Sequence, residues 1–262
     1  MDGGCRLILI VGIDCAAQEK NVGLAAGWFD GKRVRLTDIG PDSSDQSIRD
    51  RILARLSRQR RAGPRTALLA MDAPLGWPKA MGEELRRHSA GRPIATRPND
   101  LFRRLTDHVT RAAISKVPMD VGADRIARAA HAALRLIGDV ETGLGHGIPL
   151  AWEPAIGPGV WAIEVYPGGF LKANGVMASG YKEAGGQGMR RAMLVALRVF
   201  YPFEEPEGQD CTVDQHLFDA TLCVLSATDF LRGRSLPPGK AQRARAIKEG
   251  WIWTRGPRLP ML

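Results

Sequence analysis

Two short apolar runs constrain this chain more than any other feature. Leu7 to Ile13 reads LILIVGI, and Ala67 to Met71 reads ALLAM. Neither alternates with polar residues. A strand with one wet face alternates, whereas a short unbroken apolar run suits a strand covered on both faces, the kind found in parallel or mixed sheets packed between helices. Each run ends on a carboxylate, Asp14 in the first and Asp72 in the second. The expected fold class is therefore α/β, with these two strands at its centre.

The rest of the chain fits around that pair. VGLAAGWFDG followed by KRVRLTDIG reads as a hairpin turning at Asp30-Gly31. SDQSIRDRILARLSRQRRAG reads as a helix with Ile48, Ile52, Leu53 and Leu56 on one face, Ser44 or Asp45 placed as its cap and Gly63-Pro64 as its stop. From Lys79 to about Pro158 the pattern is helical, with segments near 79–89, 100–115 and 122–140. GVWAIEVYP is a further strand and carries Glu164 near its end. GMRRAMLVALRVF reads as a helix. So does TVDQHLFDATLCVLSATDFLRG, with Thr212 as cap and Gly233 as stop. The order predicts one mixed five-stranded sheet with flanking helices and a helical insertion at about 79–158, between the fourth and fifth strands. No repeat or linker divides residues 1–262, so a single domain is expected.

No apolar run reaches the ~20 residues of a membrane span, and no cleavage pattern follows CRLILIVGI, so no membrane association is expected. The four cysteines form no C-x-x-C and no dense framework, which suits a reducing, cytoplasmic setting. The net charge is +9, and 29 of the 37 basic residues are arginine. Such a surface suits a polyanion such as nucleic acid, DNA or RNA alike. Solvated arginines account for the same count equally well.

Ligands of open α/β sheets bind beyond the carboxyl ends of the strands. If the strands ending at Asp14, Asp72 and Glu164 are parallel neighbours, their acids meet at one edge. Asp219 is placed to join them from the last long helix, with His216 three residues earlier on the same face. Four carboxylates together repel one another, by roughly 4 kcal/mol for a pair ~4 Å apart at an effective dielectric of 20. Hard divalent cations, Mg²⁺ or Mn²⁺, relieve that cost. Two such ions ~3.5–4 Å apart form a device for in-line displacement at phosphorus.

Each residue also has a plainer reading. Asp14 or Asp72 alone serves equally as a turn cap. Glu164 serves equally as an arginine partner, and His216, a candidate metal ligand, is more often a surface histidine. Arg103, Arg104 and Arg111 repeat on one side of the insertion and are placed to grip phosphates, or simply to form a wet helix face. Trp251 and Trp253 suit base stacking or packing against the core.

GIDCA at Gly12–Ala16, MDAPLGWP at Met71–Pro78, RRLTDHVTR at Arg103–Arg111, IEVYPGG at Ile163–Gly169, HLFDATLCVLSA at His216–Ala227 and EGWIW at Glu249–Trp253 together resemble the motif set of domain-of-unknown-function family 429, predicted nucleases with a ribonuclease H-like fold. The resemblance spans nearly the whole chain. It implies that fold and a metal-dependent hydrolysis of phosphodiesters. Asp14 then matches a first-strand aspartate, Asp72 a fourth-strand acid, and HLFDA the last-helix motif of Holliday-junction resolvases. The first helix offers only Asp50 where ribonucleases H carry a glutamate, so Glu164 is the expected substitute. Two other classes compete with a nuclease. One is a nucleic-acid-binding protein that has lost its chemistry. The other is a nucleotide-binding phosphotransferase of the actin-like kinase type, against which stands the scarcity of Gly, Ser and Thr in DCAAQEKNVG and DAPLGWP.

Overall fold

The computed structural model describes residues 7–40, 46–62, 66–122, 124–176 and 179–256. Its centre is strand β1 (Ile8–Asp14), buried along its whole length. On one side β1 pairs antiparallel with β2 (Gly23–Phe29), which turns back into β3 (Val34–Ile39). The turn lies where Asp-Gly predicts it. Asp30 Oδ1 accepts from the Lys32 and Arg33 amides, and Gly31 takes φ +92°, a conformation that favours glycine. On the other side β1 pairs parallel with β4 (Thr66–Asp72), and β4 pairs parallel with β5 (Gly159–Glu164).

Among the described residues the sheet has six strands, in the order β5-β4-β1-β2-β3-β6, where five were expected. The sixth, β6 (Phe203–Glu204), is a two-residue piece parallel to β3. It sits between Pro202 and a run of acids and is too short to carry a periodic signal.

Two apolar layers cover the sheet, as unbroken hydrophobic strands require. Ile8 and Ile10 of β1 and Leu68 and Ala70 of β4 face α8 (Gln215–Leu231). Leu9, Val11 and Ile13, with Ala67, Leu69 and Met71, face the layer of α1 (Ile48–Ala62) and α5 (Asp124–Leu144). Ser44, Asp45, Gly63 and Pro64, expected to bound α1, lie outside the described residues.

Among the described residues four helices lie between β4 and β5: α2 (Lys79–Leu85), α3 (Pro98–Phe102), α4 (Leu105–Ile114) and α5. After β5 come α6 (Pro167–Ala173), α7 (Gln187–Arg198), α8 and α9 (Arg243–Glu249). The cap of α8 is Asp214, not Thr212: its Oδ1 accepts from the His216 and Leu217 amides, and an ionised acceptor at a helix N-terminus outdoes a hydroxyl two residues too early. Gly233, at φ +65°, follows the end of the helix as predicted. Among the described residues no helix is long and apolar enough to cross a membrane.

A buried ionic network pins the insertion to the sheet. Arg104 grips both oxygens of Glu164 at 2.7 and 2.8 Å and also bonds Asp107. Fully buried Glu249 accepts from the Lys79 amide, the Leu105 amide and Arg245 Nε. Trp251 and Trp253 follow directly and are buried in the core beside α8, so packing accounts for both.

Candidate metal centre

Asp14 and Asp72 are opposite one another in the parallel register of β1 and β4. Side chains alternate along a strand, and both residues share the parity of Ile8, Ile10, Leu68 and Ala70, the face that meets α8. Glycine lets α8 come close enough to matter. A Cβ at Gly12 would lie 2.1 Å from the Ala220 carbonyl oxygen, and one at Gly23 would lie 2.0 Å from that of His216. Helix backbone therefore rests directly on β1 and β2. The residue before Ala220 is Asp219, which this contact delivers to the strand ends.

The result is a cluster of three carboxylates. Ligand oxygens of Asp14, Asp72 and Asp219 all lie within 4.8 Å of one another. Asp14 and Asp219 are buried and Asp72 is half-buried. Around them stand three polar neighbours. His216 Nδ1 is 2.7 Å from Asp14 Oδ2; an ionised carboxylate only accepts, so Nδ1 carries the proton. Tyr181 donates its hydroxyl to Asp219 Oδ1 at 2.9 Å, and Lys182 Nζ lies 2.5 Å from Asp219 Oδ2. Among the described residues no donor is bonded to the Asp72 carboxylate.

Burial and crowding decide the protonation states. Desolvation, offset in part by the His216 bond and reinforced by Asp219, pushes Asp14 up to about 6. Burial, then the charges of Asp14 and Asp219, holds Asp72 well above the usual carboxylate range. The bond to Asp14 raises His216. For Lys182 burial acts downward, but Asp219, Asp72 and Asp14 outweigh it and keep the ammonium charged. Burial and Asp72 lift Tyr166 to about 12. The nearby thiols of Cys15 and Cys223 are pushed well up by burial and by the same acids, so neither is a nucleophile.

Three anionic oxygens from three elements, converging with no softer donor among them, fit a hard divalent cation. With all three ionised, each pair at 4.8 Å would repel by about 3.5 kcal/mol at an effective dielectric of 20. A dipositive ion removes that cost. Asp14, Asp72 and Asp219 are the residues that would hold it. His216 meets the cluster through Asp14, whose carboxylate its ring holds in orientation.

The other residues singled out in the sequence lie apart. Glu164 is in register with Met71, whose side chain belongs to the opposite face of the sheet. Its oxygens are spent on Arg104 and on the Leu75 amide at 3.0 Å. It thereby holds the turn that follows Asp72. Arg104 is 1% exposed and cannot reach a substrate. Arg103 is paired with Asp120 at 2.8 Å, and Arg111 lies exposed on α4. Asp50 bonds Ser47 at the start of α1, away from the cluster. Tyr181 and Lys182 were not legible in the sequence: they stand in the irregular segment between α6 and α7, where no period places them.

No curated protein and no solved structure matches the chain. A family model described as a protein of unknown function, DUF429, matches residues 12–243. That span includes all three clustered aspartates, His216, Lys182 and the Arg104–Glu164 pair. By a match over most of its length, the chain belongs to the DUF429 family.

Proposed function

We propose that the protein is a divalent-metal-dependent nuclease of ribonuclease H-like type, acting on phosphodiester bonds at the Asp14, Asp72 and Asp219 cluster. One observation carries the reading: three carboxylates from β1, β4 and α8 bring their oxygens within 4.8 Å at the carboxyl edge of the sheet. Acids ending the first and fourth strands, with a third on a late helix, are the placement that the family resemblance implies. When bound there, Mg²⁺ or Mn²⁺ supplies an activated water and a charge partner for the departing oxygen. The chain's own residues do the rest. Asp14 and Asp72 are fixed by strand register, and Asp219 by the seating of α8 on Gly12. His216 holds Asp14 in orientation. Lys182, with its side chain 57% exposed, presents a positive charge at the mouth of the cluster, where an incoming phosphate is met. The surplus of basic residues over the whole chain suits a polyanionic substrate.

The test is a panel of single-stranded, duplex, hybrid and branched DNA and RNA, incubated with Mg²⁺, with Mn²⁺ and with chelator. The proposal expects cleavage of at least one substrate in metal alone, with Asp14→Asn reduced by at least about a hundredfold. Binding without cleavage in every arm would favour an inactive binding protein. Cleavage unchanged in Asp14→Asn would place any activity elsewhere.

A further inference from the structure

A groove of about 830 Å³ opens on the α1 side of the same strand edge. That volume falls within the ~300–1,000 Å³ of sites that enclose small organic groups. One wall is the turn directly after Asp14, from Cys15 to Ala17, another is the start of α1, and the third is one face of α5. The groove and the carboxylate cluster thus share the end of β1, one on each face of the sheet.

The lining has two parts. Ala132 and Leu136, one turn apart on α5, form a low apolar strip, which leaves room for a flat ring. Beside it stand Arg128 and Arg135, two turns apart on one side of α5. Both are exposed, and neither side chain is hydrogen-bonded or ion-paired among the described residues. Arg103, Arg104 and Arg191, by contrast, are committed to Asp120, Glu164 and Asp210. Acids also border the groove. Glu19 is spent on the Ile48 amide, whereas Asp124 and Asp139 remain as acceptors of the kind that read an amino edge of a base. An apolar strip for a ring, free guanidiniums for phosphate and acceptors for a base edge describe a nucleotide.

We infer that this groove receives one nucleotide of a single-stranded nucleic acid, its base against Ala132 and Leu136 and its phosphates at Arg128 and Arg135, while the neighbouring phosphate crosses the strand edge to Asp14 and Asp72. The inference rests on the metal-centre reading and names its substrate class. A single strand is required because the bases of a duplex are stacked and paired, and placing one in a groove costs the energy of extracting it.

Fluorescence anisotropy of a short labelled oligothymidylate, in chelator, tests this on the full chain. The parent is compared with Arg128→Gln/Arg135→Gln and with Ala132→Trp, which fills the apolar strip. The arginines are exposed, so the double variant is expected to fold as the parent does. Binding should weaken about tenfold in each variant. Two lost phosphate contacts should also flatten the slope of log affinity against log salt by about 1.4 in the double variant. Equal affinity in parent and both variants would overturn the inference, as would a duplex that binds as tightly as the single strand. Competition by thymidine monophosphate at the oligonucleotide's own affinity would overturn the strand assignment in favour of a free nucleotide. The rise in melting temperature with Mn²⁺, read on the same samples, reports the metal centre alone. Groove-dependent binding without that rise would remove the metal reading and leave the groove. The rise without groove-dependent binding would do the reverse.

Discussion

Replacing Asp14 with Asn keeps the side chain's shape and removes one of three crowded carboxylates. In the folded, metal-free protein Asp14 ionises near 6 rather than at its ordinary 3.8, chiefly because it is buried. Between those values the folded state holds a proton that the unfolded state has released. Stability therefore falls as pH rises through this window, and above it the full penalty applies. A shift of about two units corresponds to roughly 3 kcal/mol. His216 acts in the same direction: its raised value means that its stabilising charge is present below 6.5 and is lost as pH climbs through the folded value. The pair titrates as a unit, and the substitution removes the cause of both shifts. In chelator near pH 7.5, Asp14→Asn should thus equal the parent or exceed it by up to about 3 kcal/mol. Its stability should also vary less between pH 4 and 8. Urea unfolding followed by tryptophan fluorescence measures both quantities, given the six tryptophans of the chain. A turn cap predicts overlaid curves, since Asn caps nearly as well as Asp. A less stable variant with the parent's pH profile would refute the reasoning.

Two further substitutions separate support from chemistry. Glu164→Gln breaks a buried bidentate pair with Arg104 and should cost about 3–5 kcal/mol in unfolding experiments, while the rise in melting temperature on adding Mn²⁺ persists; a loss of that rise at unchanged stability would make Glu164 a ligand after all. Gly12→Ala places a methyl group 2.1 Å from the Ala220 carbonyl oxygen, so α8 must shift. Unfolding should become easier by about 3 kcal/mol and the Mn²⁺ response should shrink with the displacement of Asp219; parent-like values in both measurements would show that the helix seat does not position the site.

What the sequence revealed depended on how local each signal was. Unbroken apolar runs marked β1 and β4 as central, and their terminal aspartates followed at once. Asp30-Gly31 marked the hairpin, and Gly233 the end of α8. Asp219 and His216 were found because helical spacing relates them within a single element. Glu164 was left between a site role and an arginine partner for a different reason. Its side of the sheet follows from pairing with Met71, 93 positions earlier, and register between such distant strands leaves no local trace. Arg104 looked like one of a wet row of arginines. Its burial depends on Glu164 and the Glu249 carbonyl, 60 and 145 positions away. Lys182 reaches Asp219 from an irregular segment, where neither period nor spacing applies.

The most direct test of the central claim is calorimetric titration of Mn²⁺ into chelator-stripped protein, with Asp14→Asn, Asp72→Asn, Asp219→Asn and Glu164→Gln measured alongside. If the three clustered aspartates share one cation centre, the parent binds Mn²⁺ and each of their asparagine variants loses at least about tenfold in affinity, the equivalent of 1.4 kcal/mol. Glu164→Gln, folded at low temperature, should keep the parent's affinity. Equal binding by the parent and all three aspartate variants, or no binding by the parent at millimolar Mn²⁺, would contradict the account.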